Sequence, residues 1–151
     1  MSVPRPRQLE VLSPRQCYAL AQTKPFGRVV FTEEGLPAVH PVNFRLHGDD
    51  IVFRVAGGGK LATAVTNAIV AFQVDDIDEA QHTGWTVTFV GRSSLITDTD
   101  ELVDVAGTWL RPWVSPPREH FVRVTPGKIT GRRLLLPNGD EHTADPAADT
   151  A

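Results

Sequence analysis

The sequence predicts a mainly β domain, an antiparallel barrel of six strands with short helices at its periphery. Three observations predict it. Six runs rich in Val, Ile, Phe and Thr recur along the chain. Three short stretches carry helix caps or helical apolar spacing. The strands read as mostly hairpin-connected, which suits an antiparallel arrangement.

The 151 residues suit one domain. Residues 1–136 form the barrel, within which residues 1–8, rich in Pro and Arg, read as a loose arm. Residues 137–151 read as an acidic disordered tail. That tail carries Asp140, Glu141, Asp145 and Asp149 with no Lys or Arg. Setting those acids aside leaves fourteen acidic against fifteen basic residues, a body near +1. Such a charge is too weak for a duplex nucleic-acid binder. The single cysteine, Cys17, permits no internal disulfide. There is no apolar run of membrane-spanning length, and the basic N-terminus has no apolar stretch behind it. The expectation is a cytoplasmic protein with no membrane partner.

The first element is a helix from Pro14 to Thr23. Ser13 is its N-cap, Gln16 completes a capping box, and Leu12 and Cys17 have the spacing of a hydrophobic staple. Strands follow over Gly27–Thr32, Leu36–Leu46 and Ile51–Val55, joined by the turns Glu33-Glu34-Gly35 and His47-Gly48-Asp49-Asp50. Next comes a helix over Lys60–Ala68 and a strand over Ile69–Val74. A polar loop over Asp75–Thr83 leads to a fifth strand, Trp85–Ile96. Asp98 caps a helix whose apolar stripe is Leu102, Val105, Ala106, Trp109 and Leu110. Residues 113–117 read as irregular. His120–Thr130 is the last strand or pair of strands, broken at Pro126-Gly127.

Three stretches could carry chemistry. In Phe53-Arg54-Val55-Ala56-Gly57-Gly58-Gly59-Lys60-Leu61 a strand ends on an arginine, three glycines turn the backbone, and a lysine opens a helix. Arg54 could hold a phosphate through two N–H groups and Lys60 could add a point charge, with Gly58 and Gly59 exposing backbone donors. A glycine turn with two solvated cations is the competing reading. In His40-Pro41-Val42-Asn43-Phe44, Pro41 belongs at an edge or a bulge. An edge with free backbone groups suits a flat heterocycle; an ordinary edge strand is the alternative. In Thr83-Gly84-Trp85-Thr86-Val87, Gly84 marks a bulge or a close backbone approach. Trp85 packs on a ring system, on a partner chain, or in the core.

The order GRVVFT, LPAVHPVNF, IVFRVAGGGKL, VAFQVDDID, TGWTVTFVGR, HFVRVTPGKITGRRL over residues 10–134 resembles the pyridoxamine 5′-phosphate oxidase-like family. The resemblance implies a six-stranded split β-barrel and a homodimer with two cofactor sites at its interface. It implies that Arg54 and Lys60 hold the phosphate of FMN, beside Gly58 and Gly59. It further implies that Pro41, Val42, Asn43 and Phe44 lie along the flavin ring. Trp85, Thr86 and Val87 would contact the ring or its ribityl chain, from the same or the second subunit. The activity implied is an FMN-dependent oxidoreductase acting on a small organic substrate. The alternatives are a reductase using the deazaflavin F420, with the basic N-terminal region holding its tail, and a non-catalytic flavin or heme binder. Gly59 stands where many members carry a hydroxyl residue. The ending GRRLLLPNGDEH lacks the substrate-binding pattern of true pyridoxamine 5′-phosphate oxidases, so synthesis of pyridoxal phosphate is not expected. The five histidines have no ligand spacing, and no metal site is expected.

Overall fold

A computed structural model describes residues 8–56, 59–107 and 119–137. Seven strands and three helices alternate in the order β1 (Gln8–Val11), α1 (Pro14–Ala21), β2 (Phe26–Glu33), β3 (Leu36–His47), β4 (Asp50–Ala56), α2 (Lys60–Ala64), β5 (Ile69–Asp78), β6 (Thr83–Leu95), α3 (Thr99–Ala106) and β7 (Glu119–Leu135). The sheet runs β1-β7-β4-β3-β2-β5-β6, and a further β6–β7 pairing closes six of these strands into a ring. Every pairing is antiparallel. The six-stranded barrel is the predicted architecture, with β1 appended to the end of β7.

Phenylalanines fill the interior. Phe53 of β4, Phe72 of β5 and Phe89 of β6 are wholly buried, and Phe72 lies between Phe44 and Phe53 with ring centroids 4.9 and 5.8 Å away. α1 closes one end of the barrel. Ser13 Oγ accepts from Gln16 N–H, and Gln16 Oε1 accepts from Ser13 N–H, so the capping box forms as its sequence predicts. Leu12, Cys17 and Ala21 turn into the core. α2 packs on both β2 and β4. α3 covers the outside of β4 through Val52, Ile96 and Val105, and Glu101 pairs with Arg123 of β7.

Several expectations change. β1 begins within the expected arm: Gln8–Val11 pairs with Arg132–Leu135, although Leu9 and Val11 remain exposed. α2 stops at Ala64 instead of Ala68. Thr63 and Thr66 turn their hydroxyls back onto the carbonyls of Gly59 and Ala62, and Asn67 takes φ 51°, which ends the helix. The expected acidic loop is largely strand. β5 continues to Asp78, where Asp75 pairs with Arg28 (3.2 Å) and Asp76 with Lys24 (2.9 Å). Pro126-Gly127 does not break the last strand. Val90 pairs with Lys128 and Gly91 with Pro126, which leaves Gly127 as the extra residue of a β-bulge. Trp109, Leu110 and residues 113–117 lie outside the described residues, as do residues 1–7 and 138–151.

Candidate functional site

Among the described residues, the barrel is open along a seam between β3 and β4. β3 and β4 pair from His47↔Asp50 to Phe44↔Phe53 and then diverge. Beyond the fork, among the described residues, β3 continues only against β2, from Asn43↔Phe26 to Leu36↔Glu33, and β4 only against β7, with Arg54, Val55 and Ala56 opposite Phe121, His120 and Glu119.

The register decides what the seam presents. Phe44 N–H donates to Pro25 on the β2 side, so alternate residues of β3 turn their backbone groups toward the seam. Those seam-facing positions are Pro37, Val39 and Pro41, with Asn43 at the fork. Both prolines therefore stand where a missing N–H breaks no ladder bond. Pro41 is an edge residue, as predicted, although its strand lies in the middle of the sheet order. Val39 supplies an N–H on the same edge.

Side chains alternate about this edge. Phe44 and Val42 face the core, Phe44 being 5 % exposed. Pro41 and Asn43 face outward and are exposed. The Asn43 side-chain amide donates to Pro25 O (3.4 Å). His40 is exposed at the open side of the core face, edge-on to Phe31 with centroids 5.3 Å apart. His40 heads the expected edge stretch and shares the alternation of Val42 and Phe44.

Arg54 is half-buried on the opposite lip. Lys60 opens α2 and is exposed, with its ammonium 4.0 Å from Glu33 of β2. Gly59 is the N-cap of α2 and offers no side-chain cap bond. Gly58 lies outside the described residues. The structure thus puts Pro41–Phe44 and Arg54 beside the fork, whereas Gly59 and Lys60 lie toward the other end of the seam, where Glu33 pairs with Leu36.

Trp85, Thr86 and Val87 are elsewhere in the chain's own barrel. They lie on β6, paired with Asp76, Asp75 and Val74 of β5 and with Arg133, Arg132 and Gly131 of β7, so both edges of this stretch are in ladders. Two strands, β5 and β2, separate it from β3. Val87 is wholly buried and Trp85 packs against the core, while Thr86 shares the outer face with Asp75. Gly84 has φ 145°, and a Cβ there would run into the backbone of Asp76 and Ile77, the close approach its position predicts.

Among the described residues no group of three or more His, Cys, Asp or Glu could hold a metal ion, and no helix is long and apolar enough to cross a membrane.

Comparisons with known proteins give this architecture its lineage. The family model of pyridoxamine 5′-phosphate oxidase matches residues 13–133. An uncharacterised protein of Mycobacterium tuberculosis is 29 % identical over 134 residues, covering 85 % of this chain and 88 % of that one. Among solved structures, the FAD binding protein of Mycobacterium smegmatis is 31 % identical with a TM-score of 0.67, over 85 % of this chain and all of the other. A candidate pyridoxamine 5′-phosphate oxidase of Corynebacterium glutamicum is 27 % identical, TM-score 0.72, with the same coverage. With a match that runs from the cap of α1 almost to the end of β7, the chain belongs to the pyridoxamine 5′-phosphate oxidase family.

Proposed function

We propose that the protein is a flavin-dependent oxidoreductase, a homodimer that holds FMN along the β3–β4 seam and acts on a small organic molecule. The observation that carries this reading is the seam, where an edge of β3 has no strand partner among the described residues and Arg54 and Lys60 stand across from it, in a chain of this family.

The residues fit the group. An Arg54 guanidinium is a planar fork suited to a phosphate, and Lys60 adds a compact positive charge at the start of α2. The Val39 N–H, between two prolines that cannot donate, offers one directed hydrogen bond to a heterocycle edge. When bound, a flavin supplies two-electron redox chemistry that no side chain here can perform. Arg54 and Lys60 would fix its phosphate, and Pro41 and Asn43 would shape the outer edge of the seam.

The sheet exterior favours a second copy. Val39, Val30, Ala71 and Val90 are consecutive cross-strand partners on β3, β2, β5 and β6, and form an apolar row on the outer face. Val39 is 54 % exposed, and Leu36 and Ile69 nearby are more exposed still. A second barrel laid on this row would bring its own Thr86 face near the seam. A second reading, FAD in place of FMN, is favoured by the 31 % identical M. smegmatis protein, which is named for FAD.

The test is a visible spectrum of the purified protein after incubation with FMN, FAD, F420 or heme, followed by chromatography of the acid-released cofactor. A flavin spectrum is expected. The Arg54→Ala, Lys60→Ala double variant should bind the flavin at least about tenfold more weakly. Equal binding would overturn the site, and uptake of F420 or heme alone would overturn the cofactor. Light scattering should give a dimer that Val39→Asp dissociates.

A further inference from the structure

Two cations stand on the outer face of β7. Past the bulge at Gly127, Ile129 and Gly131 turn inward, so Lys128, Thr130 and Arg132 turn outward, and all three are exposed. Neither Lys128 nor Arg132 has an ion-pair partner among the described residues. The ladder with β6 sets Arg132 opposite Thr86, Thr130 opposite Thr88 and Lys128 opposite Val90. Lys128 is therefore the next cross-strand step in the apolar row of Val39, Val30, Ala71 and Val90. Apolar interface cores are bounded by polar rims. Lys128 and Arg132 occupy the rim of the proposed dimer face.

Two copies that share this face are related by a two-fold axis. With the axis laid across the strands, along the row, each residue meets its own counterpart, and Lys128 meets the partner's Lys128. Like charges face to face oppose that packing. With the axis laid along the strands, between β2 and β5, Val39 meets the partner's Val90, Val30 meets the partner's Ala71, and no like charges meet in the row. This arrangement exchanges β3 with β6. β7 lies one strand beyond β6, and the seam lies one strand beyond β3. The outer side chains of β7 therefore overhang the partner's seam. Packed sheets lie about 10 Å apart, a gap that long Lys and Arg side chains bridge. Arg54 turns to the same outer side of the seam, because its neighbours Phe53 and Val55 are buried in the core.

Arg132 presents a planar fork, Lys128 a compact charge, and Thr130 a hydroxyl between them. The acid in the Arg132 row, Asp75 beyond Thr86, is taken up by Arg28. Such a donor set suits phosphate oxygens. We infer that Lys128 and Arg132 reach across the dimer and bind a phosphate group of the molecule held in the partner's seam, so that each site is completed by the other copy. This rests on the proposed dimer and seam. Two sources share the chemistry, the phosphate of the cofactor and that of a phosphorylated substrate.

The test titrates the wild type and the double variant Lys128→Gln, Arg132→Gln with FMN, with riboflavin, and with pyrophosphate added to the FMN-loaded protein. The double variant should stay dimeric by light scattering and bind FMN or pyrophosphate at least about tenfold more weakly. A loss with FMN but not with riboflavin assigns the cofactor phosphate; a loss with pyrophosphate alone assigns a phosphorylated substrate. A mixed dimer of this variant with Arg54→Ala, Lys60→Ala should regain one wild-type site, built from the intact seam of one chain and the intact β7 of the other. A mixed dimer without that site, a monomeric double variant, or a monomeric wild type would overturn the inference. FMN and pyrophosphate bound equally by wild type and double variant overturn it too, and leave the flavin reading standing. Should the wild type take up no FMN, pyrophosphate is titrated alone: weaker binding by the double variant keeps the inference and removes the flavin reading, and equal or absent binding removes both.

Discussion

Tyr18 concentrates several effects in one side chain. Burial pushes its phenol above the usual value of 10.0, and the nearby carboxylates of Asp49 and Asp50 push it the same way. The neutral phenol is the form that donates to Asp49 O. Because the folded pKa is raised, this contribution is fully present below pH 10.0 and is lost as pH rises through the folded value. Alkaline titration of stability should therefore show the wild type losing stability above about pH 10 more steeply than Tyr18→Phe; parallel curves would sink the assignment. Gly131 is the other telling residue. A Cβ there would lie 2.5 Å from Cys17 Sγ and 3.0 Å from Val87 Cγ1, inside the packed end of the barrel. Gly131→Ala should cost about 1–3 kcal/mol in denaturant unfolding, the usual penalty of overpacking. Neither residue was legible as special in the sequence, because both owe their role to neighbours far along the chain.

At the scale of elements, legibility followed locality. The cap of α1 is written in four consecutive residues, Ser13 to Gln16, and the structure forms both of its hydrogen bonds. Ser13→Ala should cost about 1 kcal/mol of stability, measured by urea unfolding. The Asp98 cap of α3 was equally readable and accepts from Glu101 N–H. The errors came where a partner elsewhere decided the outcome. Asp75 and Asp76 look like loop residues, yet Arg28 and Lys24 neutralise them on a strand. Gln8–Val11 is too short to announce itself and exists because β7 is there to receive it. The candidate stretches were visible as a proline on a strand and as Arg-Gly-Gly-Gly-Lys spacing. That Pro41 and Arg54 flank one fork is a matter of register, which single-strand patterns do not contain.

The whole molecule is a barrel that is continuous around β5, β6 and β7 and open between β3 and β4. Its stability should be distributed accordingly. The amides of Phe72, Val87 and Phe89 lie in stretches paired on both sides among buried side chains, whereas Val39 turns its amide to the seam. Native-state hydrogen exchange should show Val39 exchanging at least about a hundredfold faster than these core amides. Comparable protection would mean that something in the protein already covers the seam. Such a gradient leaves the most accommodating part of the barrel at the proposed binding edge.

The bulge at Gly127 has a consequence for what the chain can tolerate in evolution. Before it, the inward residues of β7 are even-numbered, Val122 and Val124; after it they are odd-numbered, Gly131 and Leu135. Gly127 is thus a phase-shifter between two halves of one strand, each tuned to a different parity. Deleting it would turn one half inside out, presenting Arg132 to the interior and Gly131 to solvent. Substitution along β7 leaves this parity intact; a one-residue change of length between Val124 and Ile129 does not.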